Sequence, residues 1–185
     1  MKKSLLLLCA LLLSACIDVE DFGDAWSKGT IDPALAGKWE KVATPDMPRG
    51  DIYRYNVTVK DGVYVITAYE GEIEKTDEPI QSKFLTAGPY NFFMSGPPPK
   101  GSLYRYKIAD GVFQLYDLDT TAARQFVAEK YPAAQSIDTR SGGSVFGEIA
   151  FFSVKTLDKE ALKILAEIPD NENYWKLDSA YKKTP

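Results

Sequence analysis

"YRYNVTVKDGVYVITAYE", residues 53–70, is two runs of alternating side chains joined by Asp61-Gly62. Alternation of this kind is a strand signal. Asp-Gly is a two-residue link whose positive φ angles suit a type I′ hairpin turn. Pairing outward from the turn sets Val59 against Tyr64, Val57 against Ile66, Tyr55 against Ala68 and Tyr53 against Glu70. Successive strand residues point to opposite faces, so these pairs share one face. That face is apolar near the turn and ends in a tyrosine–carboxylate pair. The other face carries Arg54 across from Tyr69 and is expected to be solvated, with an exposed arginine–ring contact worth about 0.5–1 kcal/mol.

The same design recurs at residues 104–117, "YRYKIADGVFQLYD", two residues shorter before its Asp110-Gly111 turn. Ile108 faces Phe113, Tyr106 faces Leu115 and Tyr104 faces Asp117, with Arg105 across from Tyr116 on the outer face. With those of the two hairpins included, the strand signals lie at Lys38–Ala43, Ile52–Lys60, Val63–Glu70, Ile80–Thr86, Tyr90–Ser95, Leu103–Ala109, Val112–Asp119 and Val145–Lys155. Ala87-Gly88-Pro89 turns one more pair. The run GPPPKG at 96–101 is a loop, since successive prolines remove ladder donors. Thr120–Tyr131 and Leu157–Ile168 read as helices; the second is amphipathic, with Thr156 as its expected N-cap.

About eight sequential antiparallel strands with one apolar face remove their edges best by closing into a barrel. The expected fold is therefore mainly β, a small antiparallel meander barrel with two short helices in its C-terminal part. Turns 61–62, 87–89 and 110–111 share one end. Loops 44–51, 71–79 and 96–101 share the other, where the two tyrosine–carboxylate pairs emerge.

The amino terminus carries an address. Lys2 and Lys3 precede an apolar run through Leu13, and ten or so apolar residues make about 15 Å of helix, half of a bilayer core. That is the layout of a cleaved secretory signal. Leu13-Ser14-Ala15-Cys16 resembles the lipobox of bacterial lipoproteins, a resemblance that covers about twenty residues. It implies cleavage after Ala15 and an acylated Cys16 as first residue of the mature chain. Cys9 is lost with the leader, leaving no free thiol in an oxidising compartment. In such lipoproteins an aspartate after the cysteine favours retention at the inner membrane; Ile17 stands here, which implies a lipid-anchored outer-membrane location, facing the periplasm.

The organisation expected is a signal peptide at 1–15, an acidic tether at 16–32 and one barrel domain at 33–185. About 170 residues suit one core. Phe22 and Trp26 are large for a tether, which suits packing back on the domain. A second resemblance lies in "PALAGKWEKVA", residues 33–43, similar to the first lipocalin motif through Gly37-Lys38-Trp39. It implies a barrel whose floor is plugged by Trp39. The Thr-Asp-Tyr second motif of that family is absent.

Loss of the leader takes Lys+Arg from 22 to 20 against 26 Asp+Glu, a net charge of −6. Nucleic acid is therefore a poor partner, because phosphate binding needs a basic face. The absence of histidine excludes Ser-His-Asp and Cys-His systems and histidine zinc sites. Glu70, Glu72 and Glu74 alternate, but Gly71 and the following Lys75-Thr76-Asp77 read as a solvated loop rather than a metal site. Ser141-Gly142-Gly143-Ser144 lacks a following lysine and reads as a link. No enzyme, metal or cofactor is expected.

The candidate ligand site is the barrel interior. Tyr53, Glu70, Tyr104 and Asp117 would form a polar mouth, and Val57, Ile66, Tyr106 and Leu115 an apolar depth, the usual make-up of a small-molecule site. The alternative is that each hydroxyl merely satisfies its neighbouring carboxylate at a wet rim. Two functions follow: a lipid-anchored barrel that binds a small amphipathic ligand or peptide, or a closed barrel serving envelope assembly through a protein partner. Contact candidates for the second are loops 44–51 and 96–101 and the C-terminal YWKLDSAYKK.

Overall fold

The computed structural model describes residues 17–42, 53–75, 79–139, 141–144, 147–150 and 152–185. The leader, Cys16 and the loop at 44–51 lie outside the described residues. In chain order the first strands are β1 (Ile17–Val19), β2 (Gly37–Lys41), β3 (Tyr53–Lys60), β4 (Val63–Glu70), β5 (Ile73–Glu74), β6 (Ile80–Ala87) and β7 (Tyr90–Ser95). They continue with β8 (Gly101–Ala109), β9 (Val112–Leu118), β10 (Ile137–Asp138), β11 (Ser141–Ser144), β12 (Gly147–Ala150), β13 (Ser153–Val154) and β14 (Trp175–Lys183). Three helices are described: α1 (Gly23–Lys28), α2 (Thr120–Lys130) and α3 (Lys159–Glu167).

Eight of these strands close an antiparallel barrel in the order β2-β3-β4-β6-β7-β8-β9-β14, with β14 returning to β2. Both Asp-Gly turns take the expected positive φ, 51° and 75° at Asp61-Gly62 and 52° and 74° at Asp110-Gly111. The first hairpin has the register read from the sequence, from Lys60↔Val63 to Tyr53↔Glu70. Gly62 has open space where a Cβ would stand, so Gly62→Val tests backbone strain alone. It should cost about 1–2 kcal/mol of stability in a denaturant titration; an unchanged midpoint would contradict the turn.

The closing strand is not the one expected. Residues 145–155 contribute β12, in a separate hairpin with β11, and β13, which pairs with β1 and β10 outside the barrel. The C-terminal WKLDSAYKK closes the barrel instead, as β14 between β9 and β2. A register shift between Leu177 and Ser179 breaks its alternation, so the period-two pattern is hidden in the sequence.

The stretch 17–32 is likewise built into the fold rather than a tether. Strand β1 pairs with the start of β8, Ile17 opposite Leu103, and Ile17, Val19 and Phe22 are buried. Trp26 packs against the same core and lies 5.3 Å from the Phe22 ring. The chain then crosses beneath the barrel: Thr30 bridges to Phe84, and the Asp32 amide donates to the Tyr64 hydroxyl, which in turn donates to the Asp32 carbonyl.

Alternation along β6, β7 and β8 feeds two cores. Phe84, Phe93 and Tyr104 face the barrel interior, while Leu85, Phe92, Met94 and Leu103 face an outer core shared with β1, β13 and the helices. Each fully buried aliphatic or aromatic side chain there contributes about 1.5–3 kcal/mol. Helix α3 lays Ala161, Ile164 and Leu165 on that core. Its N-cap is Asp158, whose carboxylate accepts from the Ala161 amide, rather than Thr156.

Covering this face also corrects the expectation that Arg105 is solvated. Its side chain is only 3% exposed and bonds Asp170 at 2.7 Å. The guanidinium stands 4.1 Å from the Tyr90 ring centroid and 5.3 Å from that of Trp175. Asp170 is held below the usual carboxylate range, first by its hydrogen bond with Arg105. The matching arginine of the first hairpin, Arg54, is more exposed and pairs with Glu72 rather than stacking on a ring.

Candidate functional site

Inside the barrel is a cavity of about 270 Å³ that opens to solvent. At ~30 Å³ per water it has room for about nine waters, near the lower end of small-molecule sites. Its floor is aromatic. Phe84 and Phe113, both lining residues, cluster with Tyr106, their centroids 4.5 to 6.0 Å apart. Tyr64 adds its ring at 5.1 Å from Phe84, and burial pushes its hydroxyl up to about 12. Trp39 donates its indole N–H to the Leu35 carbonyl at 2.9 Å, so the turn Pro33–Leu35 holds the ring against the interior.

The walls follow from alternation. Val57 on β3, Ile66 on β4, Phe93 on β7 and Leu115 on β9 all line the space. Ile80, Ser95 and Tyr104 line it toward the end where β6 begins and β7 ends. The wall is thin there because the β4–β6 ladder holds only three pairs, Tyr64↔Ser82 to Ile66↔Ile80. Beyond Ile66, the tip of β4 turns to β5 instead.

One polar group in this interior comes from an irregularity. At the β14 bulge Leu177 pairs with Tyr116 and Ser179 with Leu115, leaving Asp178 as the extra residue. A bulge re-aims a side chain, and both Asp178 and Ser179 line the cavity. Asp178 lies beside Asp117 of β9. Asp117 is pushed up to about 7, first by burial, then by the neighbouring Asp178 carboxylate. Its Oδ1 is buried with no hydrogen-bond partner among the described residues. Nearby, Tyr181 meets Tyr55 edge to face at 5.1 Å, and burial, then the Tyr55 neighbour, raises its hydroxyl.

Of the residues singled out from the sequence, Val57, Ile66, Tyr104 and Leu115 come together around the cavity. Tyr106 is not among the lining residues; it stacks at 5.3 Å on Phe113, which is. Glu70 is not among the residues lining the space; half-exposed, it bonds Lys75 at 2.5 Å. Tyr53 pairs with Glu70 through the backbone, and its side chain lies outside the described residues. The Tyr104–Asp117 pairing does not form: the β8–β9 ladder ends at Arg105↔Tyr116, and Asp117 pairs with Lys176 of β14. The start of β8 has turned to β1, which separates the two side chains' strands.

Sequence reasoning missed Asp178, Ser179 and Tyr181, because the strand that carries them was not recognised. Tyr55 and Phe113 stood on the inward face of the two hairpins and were legible there. Phe84 and Phe93 face each other across β6 and β7, and the same alternation could have found them. Among the described residues no group of three or more acidic or cysteine side chains could hold a metal ion. No family model, curated protein or solved structure matches this chain.

Proposed function

We propose that the barrel binds a small amphipathic ligand in its interior, while a lipid on Cys16 holds the protein at the outer membrane, facing the periplasm. The observation that carries the binding reading is the cavity itself. A barrel of eight strands can fill itself with side chains, yet this one leaves about 270 Å³ between an aromatic floor and an acidic wall residue. Apolar depth with a few polar groups is what an amphipathic molecule needs.

Two contact candidates for the assembly reading are occupied within the fold. The C-terminal segment is β14, and loop 96–101 accepts the Phe22 amide on its Pro99 carbonyl. The anchor reading rests on the lipobox. Ile17, the residue after Cys16 in the sequence, is already paired in β1 with Leu103. Cys16→Ser should abolish metabolic lipid labelling and leave the protein unprocessed or released; mature Cys16→Ser protein in the membrane fraction would contradict it.

Leu115→Trp tests the cavity. Leu115 is 8% exposed and lines it, so an indole there fills space that a ligand would use. Titration of an apolar fluorescent probe should give saturable binding to the wild type and at least tenfold weaker binding to Leu115→Trp. Absence of wild-type binding, or equal binding by both proteins, would overturn the proposal.

A further inference from the structure

Among the described residues, the cavity wall carries one acidic residue and no cation to answer it. Asp178 lines the space, Asp117 is its neighbour on β9, and no lysine or arginine is among the lining residues described. Lys176 beside them on β14 is committed elsewhere, bonding Asp119 at 2.7 Å. Lys41 shares the inward side of β2 with Trp39 but is not among the residues lining the cavity.

Two further observations point to a missing partner rather than a structural carboxyl pair. The Ser179 hydroxyl, 1% exposed and on the cavity wall, lies near the Tyr181 hydroxyl but makes no hydrogen bond of proper geometry among the described residues. Asp117 Oδ1, outside the lining itself, likewise has no hydrogen-bond partner among the described residues. Buried polar atoms are ordinarily satisfied, so orphans beside an open cavity mark where a donor is absent. The remaining lining is rich in ring faces, among them Trp39, Tyr55, Phe93, Tyr104, Phe113 and Tyr181. Aromatic faces carry a negative quadrupole that attracts cations and accepts alkyl groups equally well.

We propose that the amphipathic ligand of this barrel is a cation, an amine with its ammonium on Asp178 and its apolar part among the aromatic rings. This rests on the binding reading above and narrows it to a charge class. An ammonium brings a donor to the Ser179 hydroxyl on the wall, and its charge offsets Asp178 and the neighbouring Asp117. A carboxylate ligand would meet like charge at the same wall, and an alcohol would supply a single donor without charge.

The test uses three molecules with one tail: octylammonium, octanol and octanoate, each displacing an apolar fluorescent probe from the full mature protein at pH 8. Octylammonium should bind at least tenfold more tightly than octanol, and octanoate most weakly. Asp178→Asn should bring octylammonium and octanol within about twofold of each other, each read against the probe's own affinity for that variant. Asp117→Asn gives a second variant, on a different strand, that should also narrow the gap. Equal affinity for octylammonium and octanol, or tighter octanoate, would overturn the cationic assignment while leaving barrel binding standing. If the probe itself fails to bind, the binding reading falls and this assignment with it.

Discussion

Gly101→Ala should destabilise the protein by about 3 kcal/mol, lowering the melting temperature by about 6–12 °C. A Cβ at this position would fall inside contact distance of the Ser95 carbonyl oxygen and 2.9 Å from two atoms of the Phe22 ring. Neither neighbour has room to give. Phe22 is fully buried in the outer core, and Ser95 is laddered to Ser102. Strand β8 cannot shift, because β1 pairs with it on one side and β7 on the other. The fork where β8 leaves β9 for β1 thus depends on a residue without a side chain. Differential scanning calorimetry of Gly101→Ala checks this; a change under about 1 kcal/mol would mean that the Ser95 carbonyl and the Phe22 ring do not close on Gly101.

Asp117→Asn should stabilise the protein at pH 8 and leave it nearly unchanged at pH 4. The free aspartate titrates near 3.9, whereas in the fold Asp117 is pushed up to about 7. The native state therefore holds the proton more tightly than the unfolded chain. Stability from this residue is fully present below about pH 4 and is lost as pH rises to about 7. Because Asp117 is only part-buried, solvent screening reduces the effect to about 1–2 kcal/mol at pH 8. Asparagine keeps the shape of a protonated carboxyl and carries no charge at any pH. Chemical denaturation from pH 4 to pH 8 should show stability falling less in Asp117→Asn than in the wild type; parallel profiles would remove Asp117 as a buried acid.

How much of the fold was legible follows from which devices obey alternation. Seven barrel strands and both Asp-Gly hairpins do, and their inward faces can be named residue by residue from the sequence alone. The eighth does not. In "WKLDSAYKK" the extra residue Asp178 switches the inward set from one parity to the other, so the strand reads as charged and aperiodic. The outer face misled for a different reason. Arg105 looks like a surface residue in its hairpin, and only the return of β14 and the segment after α3 brings Trp175 and Asp170 over it. Burial by elements distant in sequence leaves no local trace.

The candidate site divides the same way. Val57, Ile66, Tyr104 and Leu115 were readable as cavity-facing because they sit on regular ladders. The acidic wall was half readable: Asp117 lay on the inward face, but its partner is Asp178 rather than Tyr104. A pairing drawn outward from a turn holds only as far as the ladder continues, and β8 changes partners after Arg105.

The two cores permit a direct measurement of where a ligand sits. Leu115 and Val57 bear methyl groups on the cavity, whereas Leu165 and Val154 bear theirs in the outer core. In a methyl-labelled sample titrated with octylammonium, the Leu115 and Val57 signals should shift saturably and those of Leu165 and Val154 should stay in place. Unmoved Leu115 and Val57 signals at saturating octylammonium, or shifts confined to the outer core, would contradict ligand binding inside the barrel.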